Sequence, residues 1–346
     1  TTYVKVDRAT LVASITASPN PADVATCCTS GIEDFSDLFR ARFSFNQDIS
    51  HWDTASATTM REMFRSASVF NQNISNWNVS NVENMRGMFR EADDFNNPIG
   101  NWDVSNVRNM YEMFLQANDF NQNIGSWTTS SVTNIQRMFR RARAFNNGEA
   151  AGNSNRPLNW FTGGVNSLEQ VFWEANSFNQ DIGGWDVTQV TDFTNLFYLA
   201  VRFNRPLNTW IINNTPGVNV RMREMFNGAS AFNQDISSWN TSRVNNMYEM
   251  FLSATSFNQN LAAWDVRSVK SMDSMFESAT SFDNGGHDIR DWTPYGCQTM
   301  REMFKYAHSF SQSIDEWHDD IGNVETAKDA FHETDLSTER RNDIYD

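Results

Sequence analysis

Cysteine and histidine are scarce in this chain, with three Cys and five His among 346 residues. His51, His287, His308, His318 and His332 are scattered, with no H-E-x-x-H and no C-x-x-C pair. A zinc site needs ligands converging at about 2.0–2.3 Å, and this spacing offers none. Nucleophile-elbow, Walker and G-x-G-x-x-G signatures are missing too. The sequence therefore predicts neither an enzyme nor a bound cofactor. Cys27 and Cys28 are adjacent, while Cys297 lies about ten repeats further on, beyond disulfide reach if each repeat advances ~4.8 Å. Cys27 is expected to be buried. Basic residues are also short, with Lys plus Arg at 27 against Asp plus Glu at 42, a net charge of −15. That balance argues against nucleic acid and anionic membrane partners. No run approaches the ~20 apolar residues of a membrane helix, so no direct membrane insertion is expected. The first residues, TTYVKVDRATLVASI, do not read as a signal peptide, so any such segment is expected to be absent or removed.

What the chain does have is 27 Phe, 15 Met and 12 Trp set among Asn, Ser, Asp and Thr. They are spent on a repeat. Counting from Phe45, Phe70, Phe95, Phe120, Phe145, Phe178, Phe203, Phe232, Phe257, Phe282 and Phe310, seven of the ten intervals are 25 residues and the others 33, 29 and 28. The consensus is FNQxIxxWxVSxVxxMxxMFxxAxx. All 15 Met fall at its sixteenth or nineteenth slot, and 23 of the 27 Phe at its first or twentieth. A core renewed once per coil accounts for this; a catalytic site does not.

Within each repeat the period changes. Trp102 and Val104 alternate, which predicts a short strand with both side chains inward. Val107, Met110, Met113, Phe114 and Ala117 follow at spacings of three and four, which predicts a helix of about three turns. Ser80 and Ser105 are placed to cap that helix. The expected fold is α/β: about 12 coils of ~25 residues, each with one short parallel strand and one helix. The second slot carries Asn46, Asn71, Asn96 and Asn121 in successive coils, and a stacked Asn ladder can satisfy the turn backbone.

The run Ile99–Trp102–Val104–Val107 has leucine-rich-repeat spacing. With FNQDISSWNTSRVNNMYEMF (232–251) it resembles the BspA-like leucine-rich repeat surface proteins, over roughly residues 32–334. The resemblance implies a right-handed solenoid on a secreted or surface-anchored protein used for adhesion or partner binding. Segment 1–31, with a helix-like stretch at Asp7 to Ala17, is expected to cap one end. The tail 335–346 is expected to form a capping helix at the other, after a coil in which Ala327 and Ala330 replace both Met.

The remaining candidates lie on the surface. Asp48, Asp53, Asp103, Asp181, Asp186, Asp235 and Asp265 form interrupted columns at slots four and nine. Calcium needs six to eight oxygens around one point, so no metal site is expected. Arg65, Arg90 and Arg140 share slot 21 and predict a basic stripe. Trp173 and Tyr198 occupy the same slot one coil apart, just beyond an eight-residue insertion around residues 148–155, and are expected to face solvent. Two readings stand side by side for them: a site for a protein or glycan partner, or burial as a satellite cluster beneath the folded-over insertion. The expected function is non-enzymatic recognition or adhesion, outside the cell, at a cell surface or on a virion. The alternative is a structural subunit that binds copies of itself. The latter is suggested by residues 310–346, which hold 11 acidic and 3 basic side chains.

Overall fold

The computed structural model describes residues 3–17, 22–312, 314 and 317. The expected C-terminal helix over 335–346, Ala327, Ala330, His318 and His332 lie outside the described residues. The chain divides into two compact units, Thr1–Val165 with Glu174–Gln180, and Asn166–Trp173 with Asp181–Asp346. Among the described residues, regular elements are few: β1 (Val4–Lys5), α1 (Arg8–Ala17), β2 (Cys27–Cys28), β3 (Val220–Arg221) and β4 (Val244–Asn246), plus two short 3-10 turns. β1 pairs with β2 and β3 with β4, both parallel.

The coils stack in register, but neither expected element stands where the sequence placed it. The inter-coil bridges fall at slot 15, not at Trp-x-Val: Asp34, Thr59, Asn84, Asn109 and Asn134 pair in parallel in the first unit, and Ser167 with Asp192 in the second. The Met-x-x-Met-Phe stretch is not a helix. Its even-numbered slots donate to the next coil, as in Met60 N–H to Asn84 O (2.9 Å), Glu62 to Arg86 (2.8 Å), Phe64 to Met88 (2.9 Å) and Ser66 to Arg90 (2.7 Å). The residues between them donate three back within their own coil, as Met63 to Met60 and Ala67 to Phe64. This alternation needs left-handed backbone at slots 18 and 22, as at Glu62 (φ 51°) and Ser66 (φ 57°), and the described coils repeat it as far as Glu302 and Tyr306. The physical reason is spacing. A helix with side chains is about 10–12 Å across, whereas backbones that hydrogen-bond directly lie ~4.8 Å apart. Coils bonded directly along this side have no room for one.

The inward stripe is the same in either conformation, so the core is where the repeat implies. Trp102, Val104, Val107, Met110, Met113, Phe114 and Ala117 are all buried. Phe64 stacks on Phe70 at 3.9 Å and on Phe89 of the next coil at 5.6 Å, while Trp52 and Trp77 stack at 6.3 Å. Core Trp side chains along the stack also donate the indole N–H back to a buried carbonyl, as Trp102 to Ile74 O at 3.2 Å and Trp239 to Leu207 O at 3.0 Å. A buried indole without such an acceptor would cost about 1–3 kcal/mol.

At the N-terminal end α1 is capped by Asp7, which accepts the Thr10 N–H at 2.8 Å, and it buries Leu11 and Ile15. Arg8 donates Nε to Asp34 O (2.8 Å) and Nη2 to Ser36 O (2.9 Å). In later coils the carbonyls of these two slots accept N–H groups from the coil before, as Asn84 O and Arg86 O do. The Arg8 guanidinium therefore replaces the donors of a missing preceding coil. Cys27 fills the Trp slot of the first coil and is buried, and all three cysteines are free thiols.

Candidate binding surface

Three slots turn the chain by the same device in coil after coil, wherever they carry Asp or Asn. A side-chain oxygen at slot four, nine or 15 accepts the N–H two residues on: Asp48 from Ser50 (2.9 Å), Asp103 from Ser105 (3.1 Å), Asn84 from Arg86 (3.0 Å). These Asx turns give the acidic columns a structural task. The hydrogen bonds hold the Asp48, Asp103, Asp186 and Asp235 carboxyls below the usual carboxylate range. Among the described residues no cluster of three His, Cys, Asp or Glu side chains could hold a metal ion.

The Asn column forms a continuous side-chain-to-backbone chain through the first unit. Asn71 N–H donates to Asn46 Oδ1 (2.9 Å), Asn96 to Asn71 (3.0 Å), Asn121 to Asn96 (2.9 Å) and Asn146 to Asn121 (2.8 Å). Gln72 and Gln122, one residue on in their coils, clamp the Asn46 and Asn96 oxygens at 2.9 and 2.8 Å. The long insertion is stitched to this column. Asn146 Nδ2 donates to Ala150 O (2.6 Å) and Asn153 O (3.1 Å), and Asn147 Nδ2 to Arg156 O (2.7 Å), with both Asn fully buried.

The basic stripe proves to be an ion-pair network rather than a free cationic surface. Arg65 lies 2.9 Å from Glu62, which Arg40 also reaches at 3.2 Å, and Arg90 lies 3.0 Å from Glu91 and 2.6 Å from Glu112. Burial works to raise the Glu62 carboxyl, but the Arg65 hydrogen bond and the charges of Arg65, Arg40 and Arg61 outweigh it and hold it low. Leu115, buried, takes slot 21 between Arg90 and Arg140 and interrupts the stripe. Arg140 has the opposite environment: burial first, then Arg141 and Arg137, lower its pKa. The sequence reading weighed only the basic residues around slot 21 and so missed the countercharges Glu62, Glu112 and Glu174 at slots 18 and 22.

Trp173 and Tyr198 do meet, with ring centroids 4.7 Å apart at 43°. Both are half-buried rather than open to solvent. Slot 21 packs along the hydrogen-bonded ribbon, so each residue is shaded by the next coil. Several exposed apolar side chains were not singled out by the sequence, among them Phe43 (63%), Phe161 (56%), Ile211 (68%) and Tyr295 (65%). Phe161 and Ile211 follow the core Trp at slot nine, where other coils carry Asp103, Asp186 or Asn240. The signal was an apolar residue in a column of turn formers.

In the second unit, Tyr248, Glu249, Asp273, Ser274, Glu277, Arg301 and Glu302 line an open cleft of about 460 Å³. Burial raises the Glu249 carboxyl, and its hydrogen bond helps push the Tyr248 hydroxyl to about 12. These side chains are paired locally, Arg301 with Asp273 at 3.1 Å and Asn227 with Glu249 at 2.9 Å.

Coils that repeat the same core and bond directly to their neighbours define a tandem-repeat protein. The chain belongs to the family described as Mycoplasma protein of unknown function, DUF285, whose model matches it in four segments, residues 10–107, 80–155, 149–219 and 220–343. No curated protein matches it significantly.

Proposed function

We propose that this chain is a non-enzymatic recognition or adhesion protein, secreted or held at a cell surface, in which a repeat solenoid serves as the binding scaffold. One observation carries the reading: inward slots hold the same residue types in coil after coil, while outward slots do not. Slot nine runs Asp103, Thr128, Phe161 within the first unit and Asp186, Ile211, Asn240 within the second. Slot 21 runs Arg65, Arg90 and Arg140, broken by the buried Leu115, and then Trp173 and Tyr198. A constant core that supports a varied surface suits recognition better than a reaction, which needs one convergent set of groups. The resemblance to BspA-like surface proteins supports the extracellular setting.

The partner is a protein or glycan on a surface, and the Trp173–Tyr198 pair is the first place to test. Their simultaneous change to Ala should abolish capture of that partner by the full chain while leaving melting unchanged. Undiminished capture, or loss of stability, removes them from the site. The acidic surplus of residues 310–346 favours a second reading, a self-assembling structural subunit. Sizing at several salt concentrations separates the two, since charge-driven assemblies dissolve in salt.

A further inference from the structure

The repeat is one residue short just before the core Trp160, and a cleft lies there. Elsewhere the slot-five Ile or Leu precedes the core Trp by three residues, as Ile124 precedes Trp127 and Leu207 precedes Trp210. In the coil after the long insertion Leu158 precedes Trp160 by only two. The core is unaffected: Leu158 and Trp160 are buried, and Trp160 still donates to Ile124 O at 3.0 Å and stacks on Trp127 at 6.2 Å. The shortfall is therefore taken up on the outside. The Pro157 carbonyl lies over Gly125, where an added Cβ would stand 2.6 Å from it, the same approach that the Asn123 carbonyl makes to Gly100 one coil earlier. A cleft of about 380 Å³ lies beside this point, lined by Gly125 to Ser130 from one coil and by Asn159 and Phe161 from the next.

The lining is chemically selective. It carries no charged side chain, on a protein whose net charge is −15. Ser126, Thr128, Ser130 and Asn159 are exposed and supply hydroxyl and amide groups that both donate and accept. Phe161 adds an aromatic ring that is 56% exposed, and its backbone is fixed by Thr129 Oγ1, which donates to Phe161 O at 3.0 Å. The volume lies within the range of about 300–1,000 Å³ typical of small-molecule sites. A flat apolar ring beside neutral hydroxyls matches a pyranose, which offers one face of C–H bonds and a rim of hydroxyls.

We propose that this cleft binds a neutral sugar, with Phe161 stacking on the ring and Ser126, Thr128, Ser130 and Asn159 addressing its hydroxyls. The inference rests on the scaffold reading above and gives it a ligand class at a second place. The test is saturation-transfer NMR on the full chain with maltotriose, cellotriose and mannotriose, and with sialyllactose as the charged comparison. At least one neutral trisaccharide should bind saturably. Phe161→Ala should weaken it tenfold or more with unchanged melting, Phe161→Tyr should retain it within a few-fold, and Phe43→Ala, at another exposed ring, should have no effect. Insertion of Ser between Leu158 and Trp160, restoring the normal spacing, should also abolish binding. The proposal is overturned if no neutral trisaccharide binds, if only sialyllactose binds, or if Phe161→Ala binds like the parent. Partner capture that depends on Trp173 and Tyr198 but is untouched by Phe161→Ala would sink the cleft and leave the scaffold standing.

Discussion

Asn96 shows how much a single side chain does in a stacked coil. Its Oδ1 accepts the Asn121 backbone N–H and the Gln122 amide together, so one oxygen joins two coils. Asn96→Ala should cost about 1–2 kcal/mol by stranding these donors, while Asn96→Asp should cost less. The chain already uses Asp283 in this slot, where it accepts from Ser311 (2.8 Å) and Gln312 (2.9 Å). Urea denaturation of the two variants checks the order. The turn-forming aspartates make a pH prediction at the same scale. The Asp103 carboxyl is held low by its hydrogen bonds to Ser105, and Asp235 likewise by Ser237. A depressed carboxyl stabilises fully above its unfolded pKa, about 3.9, and the contribution is lost as pH falls through the lower folded value. Melting temperature should therefore drop as pH falls below about 4. Changing Asp48, Asp103, Asp186 and Asp235 together to Asn, which keeps the turn oxygen, should flatten that drop. Asp93 works the other way, because burial raises its carboxyl. An unchanged acid profile in the quadruple variant would show that these turns do not set it.

At the scale of the element, the ribbon at slots 16 to 23 is held by an unusual backbone. Left-handed φ at a non-glycine residue costs of order 1 kcal/mol or more, and here it recurs twice per coil. The direct bonds between coils offset it, most of the strained residues donating to the next coil, as Gln116 N–H does to Arg140 O at 2.8 Å. Among the described residues, none of the non-glycine residues with positive φ is β-branched, which fits the steric rule. Gln116→Val should therefore destabilise by about 1–2 kcal/mol, whereas Gln116→Gly should be neutral or mildly stabilising, since Gly87 and Gly228 already occupy such slots. Equal melting of the two variants would show that the left-handed backbone carries no strain. The same element explains why Arg65 and Arg90 face carboxylates: the ribbon places slot 18 beside slot 21 of the same or the preceding coil.

For the whole molecule, contacts run between neighbouring coils, so damage should stay local before it becomes global. Trp102 is 4% exposed, packs 6.3 Å from Phe89 and bonds to Ile74. Trp102→Ala should cost about 3–5 kcal/mol. Amide exchange should rise first in the coils around residues 74–127, while the second compact unit keeps its protection. Uniform loss of protection along the chain, or melting like the parent, would contradict a nearest-neighbour core.

The sequence by itself determined the period, the core and its sparing use of large side chains. Each Phe, Trp and Met column is a statement about burial, and burial repeats with the residues that need it. It also pointed to Asn46, Asn71, Asn96 and Asn121 as a column, because a polar residue held at one slot in coil after coil has to bond along the stack. The conformation of the Met-x-x-Met-Phe stretch was not legible. Spacings of three and four put the same side chains inward in an α-helix and in a ribbon bonded to its neighbours, and only the partner of each N–H distinguishes them. That partner belongs to another coil, 24 residues away for Met60 and Asn84. The ion pairs, the half-burial of Trp173 and Tyr198 and the cleft beside Phe161 follow from this choice and from one missing residue. Tertiary structure decided them because each depends on which slots of successive coils come to lie side by side.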